Sequence, residues 1–268
     1  SNLLIFYKRR WIRTLPLYIL TLILVSILTD HIFDVNFFKY LFLIQKFIPN
    51  FIDNDYFPVA WSLSIEEVFY LLFPLVLIFL TQKNFLKVSI FIFIFIIIFK
   101  YFISGNFNAN FYRTGTFLRF DAILFGFLIS HFKLEIFKYK KSIIFFTIIF
   151  IITFLLCFEF FTINNNDENN RFLFIYFMQL ISGFSLFSFL LLEPLMKYSN
   201  IFKKLSLMIS QQTYSIYLFH LIIVYILNKI ELSIYVATPI YILLLFLTSN
   251  LIFNLFEKPL LKLRPKII

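Results

Sequence analysis

Residues 56–75, YFPVAWSLSIEEVFYLLFPL, place two carboxylates, Glu66 and Glu67, a few residues inside an apolar run long enough to be a transmembrane helix. An ionisable group in hydrocarbon costs about 2.5–3.5 kcal/mol on insertion scales, so one that stays there marks a functional position by default. A capping explanation competes. Ser64-Ile65-Glu66-Glu67 fits the S-x-x-E box, in which the second Glu reaches back to a helix N-terminus. That reading covers Glu67 and leaves Glu66, with Tyr70 four residues on and on the same helical face. Glu66 is then either functional or tolerated near the interface.

The rest of the chain supports a membrane setting. Of 268 residues, 61% are hydrophobic and 14% charged, and the mean hydropathy is +0.91; a soluble domain carries about 45–50% and ~25%. The expected fold class is all-α, a polytopic transmembrane bundle of about eight helices. Eight apolar segments lie near 14–34, 61–80, 88–104, 117–132, 142–161, 171–193, 205–228 and 232–256. They are apolar nearly all round, so amphipathic period is not the signal. The weakest is 117–132, which contains Arg119 and Asp121. One domain over 1–268 is expected, with a basic segment at 1–13 and a basic tail at 257–268, both cytoplasmic. The 43 Phe are a compositional bias, and four Gly leave little scope for glycine-mediated helix packing. Gly126, inside the fourth segment, suggests a close contact there. One cysteine, Cys157, excludes an internal disulfide and fits no metal cluster.

With the N-terminus in the cytoplasm, 17 of the 24 basic residues fall in inner loops and six outside, Lys100 among the six. That bias obeys the positive-inside rule. The polar stretch 164–170, NNNDENN, then falls outside. The net charge of +10 is a topology signal and not a nucleic-acid surface.

Within the basic start, Arg9, Arg10 and Arg13 stand close together, ahead of Pro16 in a first helical turn. Anionic lipid accounts for the charge, at ~1 kcal/mol per basic residue. It does not require arginine, whose fork grips phosphate bidentately, so a pyrophosphate-bearing ligand is a second reading. The loop 34–55 is expected to be polar and external, and Tyr56 and Trp61 to sit in an interfacial aromatic belt. Arg119 and Asp121, two apart, do not share a helix face. Each needs a partner elsewhere, unless they form an interfacial pair with Arg119 snorkelling. His220 lies about two turns into the membrane from Thr213. It is either a titrating group or a neutral imidazole bonded across helices. His31 and His131 are expected at the interface. Glu193-Pro194 reads as an inner helix end, and Phe256-Glu257-Lys258-Pro259 as a helix stop.

Five pieces together, FYKRRWIRTLPLY at 6–18, WSLSIEEVFYLLFPL at 61–75, LRFDAILFG at 118–126, YSIYLFH at 214–220 and FEKPL at 256–260, resemble in order the landmarks of the acyltransferase-3 family. These are bacterial membrane enzymes that acylate surface carbohydrates. The resemblance implies acyl-CoA, usually acetyl-CoA, as co-substrate from the cytoplasmic side. It implies a carbohydrate hydroxyl as acceptor, in O-antigen, capsule or exopolysaccharide, and a multi-pass place in the bacterial inner membrane. It implies no tightly bound cofactor, no metal and no nucleic-acid partner. Its R-R-x-x-R pattern falls on Arg9, Arg10 and Arg13, as donor-binding residues with Arg119. Its W-S-L-x-x-E-x-x-F-Y pattern falls on Trp61, Ser62, Leu63, Glu66, Phe69 and Tyr70, and so selects Glu66. The expected catalytic set is Glu66, Asp121 and His220, with Trp61, Tyr70 and Tyr214 toward the substrate, all meeting in one cavity with a guanidinium-rich cytosolic lip. The family has about ten helices, the first carrying an arginine and a histidine, and that helix is expected before Ser1. Two other classes remain open. Buried charges also mark a lipid or glycan transporter, although inverted repeats and paired broken helices are lacking. A non-catalytic membrane scaffold would carry the same charges as anchors.

Overall fold

The computed structural model describes residues 2–80, 82–103, 109–132, 137–163, 178–183, 185–186, 188, 199–230 and 232–265. It is 81% helical, with no strand among the described residues. The helices are α1 (Asn2–Leu28), α2 (Val35–Leu41), α3 (Ala60–Phe79), α4 (Gln82–Phe102), α5 (Ala109–Thr114) and α6 (Phe120–His131). A 3-10 turn (Phe137–Tyr139) leads into α7 (Lys140–Ile163), followed by α8 (Asn200–Asn228) and α9 (Ile234–Ile252). A π turn (Phe253–Glu257) joins α9 to α10 (Lys258–Lys262).

Five stretches among the described residues are long and apolar enough to cross a membrane: Leu3–Leu28, Ala60–Ile78, Asn84–Phe102, Asn200–Asn228 and Ile234–Lys262. The all-α transmembrane class is therefore found, but the count of about eight is not confirmed. The 117–132 segment contracts to α6, whose 12 residues reach only ~18 Å of a ~30 Å core. The 142–161 segment is the continuous α7. Most of 171–193, the polar stretch 164–170 and the Glu193-Pro194 boundary lie outside the described residues.

Several boundaries differ from the sequence reading for identifiable reasons. Helix α1 begins at Asn2 and carries the arginines in its first half, so Pro16 sits inside the helix. A proline there removes one ladder hydrogen bond, which transmembrane helices tolerate when neighbours bond the backbone. At the other end, the chain does not stop at Phe256-Glu257-Lys258-Pro259. The π turn precedes Pro259, which lacks an N–H and would crowd the carbonyl four residues back in a regular helix, and α10 continues the same span. The external loop 34–55 is also structured. Asp34 caps α2 through Phe37 N at 2.5 Å and pairs with His31 Nδ1 at 3.0 Å. Asn54 donates to His31 Nε2 at 2.8 Å. His31 is thus bound at both ring nitrogens. Tyr40 donates to Asp55 at 2.5 Å, and burial together with the Asp55 charge pushes its phenol far above the usual range. Tyr56, expected in an aromatic belt, is instead buried, stacked on His31 at 4.8 Å and hydrogen-bonded by Ser26.

The chain forms two compact units. The first comprises Ser1–Gln45, Ile52–Leu63 and Tyr198–Ile268. Its core gathers Leu17, Tyr18, Leu22 and Val25 of α1, Phe57, Ala60 and Leu63, and Leu218, Phe219 and Ile222 of α8. The second comprises Lys46–Phe51 and Ser64–Lys197. There, phenylalanines knit three helices: Phe73 meets Phe85 at 5.4 Å, Phe85 meets Phe127 at 4.9 Å and Phe69 meets Phe120 at 5.9 Å. In the same unit Lys100 Nζ of α4 contacts Asp121 Oδ2 of α6 at 2.6 Å, with side chains 1% and 0% exposed. Lys100 is therefore no outer-loop cation, and Asp121 has the partner that its sequence position required.

Breaking a buried pair leaves an uncompensated charge and costs about 3–5 kcal/mol. Lys100→Met or Asp121→Asn alone should lower the unfolding temperature in detergent by that order of destabilisation. Lys100→Met combined with Asp121→Leu should recover most of the loss. Neutral single variants would contradict a structural pair.

Candidate functional site

Helix α8 carries four polar side chains in seven residues, Tyr214, Ser215, Tyr217 and His220. Ser199 caps its start through Phe202 N at 3.2 Å. Polar groups in an apolar bundle need partners inside the protein, and here each hydroxyl reaches a different segment of the first unit. Tyr214 donates to the Thr14 carbonyl of α1 at 2.7 Å, two residues before Pro16. Tyr217 donates to the Val59 carbonyl at 2.7 Å. Its only hydroxyl hydrogen being used there, it accepts from Ser62 Oγ, 2.6 Å away at the start of α3. Ser215 donates to Glu257 Oε1 in the π turn. Glu257 is 7% exposed, and Arg13 of α1 is its positive electrostatic neighbour. Gln212, one turn before, donates to Asn250 of α9 at 3.0 Å.

His220 completes the series. Its Nδ1 lies 2.5 Å from the Tyr217 carbonyl. A carbonyl only accepts, so Nδ1 carries a hydrogen, and in the neutral ring Nε2 is then the nitrogen with the lone pair. The bond is within its own helix and not across helices to a hydroxyl.

The arginine-rich end of the first unit is larger than the sequence motif. Arg9 Nη1 donates to the Pro265 carbonyl, which brings the segment after α10 to α1. Arg264 follows. Its Nε is buried without a hydrogen-bond partner among the described residues. Burial first, and then the charges of Arg13, Arg9 and Arg10, push its guanidinium below the ordinary value. Arg9, Arg10 and Arg13 thus stand within electrostatic reach of Arg264, a gathering of positive charge that favours an anion.

The expected residues separate as follows. Arg9, Arg10, Arg13, Trp61, Tyr214 and His220 belong to the first unit, and Glu66, Tyr70, Arg119 and Asp121 to the second. Neither unit by itself gathers Glu66, Asp121 and His220. Glu66 stands on the exposed face of α3, whereas Glu67 is 7% exposed. The capping box is not formed, because α3 starts at Ala60 and Ser64 Oγ pairs with Thr116 Oγ1 at 3.1 Å. Tyr70 is half-buried, edge-on to Phe69. Arg119 donates to Gln179 at 3.3 Å. No group of three or more His, Cys, Asp or Glu suited to a metal occurs among the described residues. Sequence reasoning missed Glu257, Ser215, Arg264 and Lys100. The available signal for Glu257 was a carboxylate closing the long uncharged run 232–256.

The model of a family described as an acyltransferase domain, the acyltransferase-3 type, matches residues 1–255 and so extends over both units. A Haemophilus influenzae protein described as uncharacterized is 35% identical over 125 residues, covering 40% of this chain and 51% of that protein. The chain spans about half the length of this curated relative. No solved structure matches.

Removing Ser215 Oγ leaves a buried carboxylate without its donor, a loss of about 1–3 kcal/mol. Ser215→Ala should therefore destabilise the protein in detergent, while Ser210→Ala, on an exposed position of the same helix, should fall within about 0.5 kcal/mol of the parent. Equal effects of the two would contradict the Ser215–Glu257 link.

Proposed function

The chain belongs to the acyltransferase-3 family, and from that premise we propose that it is a membrane-bound O-acyltransferase. It moves an acetyl group from acetyl-CoA to a hydroxyl of a cell-surface carbohydrate such as O-antigen, capsule or exopolysaccharide. The observation that carries this reading is the convergence of Arg9, Arg10, Arg13 and Arg264 in the unit that also holds His220 with its Nε2 lone pair. CoA offers a pyrophosphate and a 3′-phosphate, and arginine forks suit both. The basic bias of the inner loops supports a cytoplasmic location for this cluster and for both ends of the chain in the bacterial inner membrane.

The chemistry then needs three things: a held donor, a base for the acceptor hydroxyl, and stabilisation of the tetrahedral oxyanion. The arginines hold the donor by its phosphates. His220 Nε2 takes the proton as the hydroxyl oxygen attacks the thioester carbonyl. The C–S bond breaks, and the imidazolium returns the proton to the leaving thiolate, which gives the ester and free CoA. No covalent acyl-enzyme is required. Glu257 orients the site through Ser215 and Arg13. Asp121, held by Lys100, keeps α4 and α6 together.

In membranes containing the whole protein and its carbohydrate acceptor, free CoA release measures turnover. His220→Gln should lower kcat by about 10²–10⁴-fold, the range for loss of a general base. Arg13→Ala and Arg264→Gln should raise the KM for acetyl-CoA about tenfold or more, as expected for losing a hydrogen bond to a charged group. Unchanged CoA release in all three would reject the assignment. Carbohydrate movement without CoA release would favour transport.

A further inference from the structure

Helix α6 was expected to pack closely at Gly126, but a side-chain carbon built there would meet no atom within 4 Å. Gly126 instead lines a groove of about 470 Å³ in the second unit, between α6 and the helical residues 178–183 and 185–186. That volume is within the range of small-molecule sites. The groove is closed on one side by a tight contact, because a carbon added at Gly183 would fall 2.4 Å from the Phe125 ring. Along α6 it follows Ala122, Gly126 and Ile129, with Leu186 opposite; Ala122 to Ile129 spans ~10 Å. Its polar end is formed by Arg113 and Arg119.

The charge at that end is unbalanced. No carboxylate lines the groove among the described residues. Arg119 has one neutral partner, Gln179, at 3.3 Å, and its Nε is buried with no partner among the described residues. Among the described residues, Arg113 reaches the neutral Asn110 Oδ1, at 3.5 Å. Two guanidiniums at the mouth of an apolar channel match the two halves of an amphiphile, a phosphate for the forks and hydrocarbon for the wall. We infer that this groove binds an anionic phospholipid of the surrounding membrane, with its phosphate at Arg113 and Arg119 and one acyl chain along Gly126 and Ile129. This site is separate from the donor cluster of the first unit and does not depend on the acyl-transfer reading. It assigns to Arg119 a lipid headgroup in place of the acyl donor.

The test uses native mass spectrometry of the full chain in detergent, offered equal amounts of dioleoylphosphatidylglycerol and dioleoylglycerol, which share their chains and differ in the phosphate headgroup. The parent should retain the phospholipid at least tenfold over the diacylglycerol. Arg119→Gln should remove that preference. Gly126→Leu, whose Cβ enters open space, should abolish retention of the phospholipid. Circular dichroism checks the fold of each variant, and the glycine variant keeps the test decisive should the arginine variant misfold. Equal retention of the two lipids by the parent, or a folded Gly126→Leu protein that keeps the phospholipid, overturns the proposal. So does a folded Arg119→Gln protein that keeps the preference, because headgroup and chain must share one groove.

Discussion

Within an apolar bundle a hydroxyl finds no water to satisfy it, so it must bond to another part of the chain. Three residues within one turn of α8 show how that constraint organises the first unit. Tyr214 fastens α8 to the α1 backbone beside Pro16, Ser215 to Glu257 in the π turn, and Tyr217 to Ser62 and Val59 where α3 begins. The bonds are short, directional and made to three different segments. Nonspecific apolar contact, which fills the rest of the core, would not fix their register so sharply. His220, one turn past Tyr217, is thereby placed with its Nδ1 on a backbone carbonyl, and this sets which nitrogen is available for chemistry.

The second unit meets the same constraint by other means. Its charges are paired, Lys100 to Asp121 at 2.6 Å, and its hydroxyls meet one another, Ser64 with Thr116 at 3.1 Å and Thr147 with Ser188 at 2.6 Å. Aromatic contacts among Phe69, Phe73, Phe85, Phe120 and Phe127 supply the remainder. The phenylalanine content, read from sequence as a bias, therefore has a packing consequence. Among the described residues, Arg119 and Arg113 meet neutral partners and no carboxylate.

The membrane class was legible from composition and long uncharged runs, because bilayer thickness imposes length directly. The order of the motifs was legible too. What could not be read was which side of each helix turns inward. Segments apolar all round carry no period from which to choose a face, so nothing in the sequence said that Glu67 would be buried and Glu66 exposed. Prolines misled for a local reason. Pro16 and Pro259 read as helix boundaries, yet α1 runs through the first and a π turn carries the chain past the second. Pairings between distant residues, such as Lys100 with Asp121 or Ser215 with Glu257, leave no trace in spacing. They emerge only when helices pack.

The proposed mechanism draws on one hydroxyl-fixed hub: arginines at one end of α1, a carboxylate braced by Ser215, and an imidazole on the helix that links them. The claim under all of this is that α8 is locked to its neighbours by specific hydroxyl bonds. A double-mutant cycle between Ser62→Ala and Tyr217→Phe, followed by unfolding in detergent, tests it most directly, since the Tyr217–Val59 bond is common to the parent and the Ser62 variant. The account predicts a coupling of at least ~0.5 kcal/mol between the two substitutions, the scale for residues in contact; additive effects would mean that the bond does not hold these helices together.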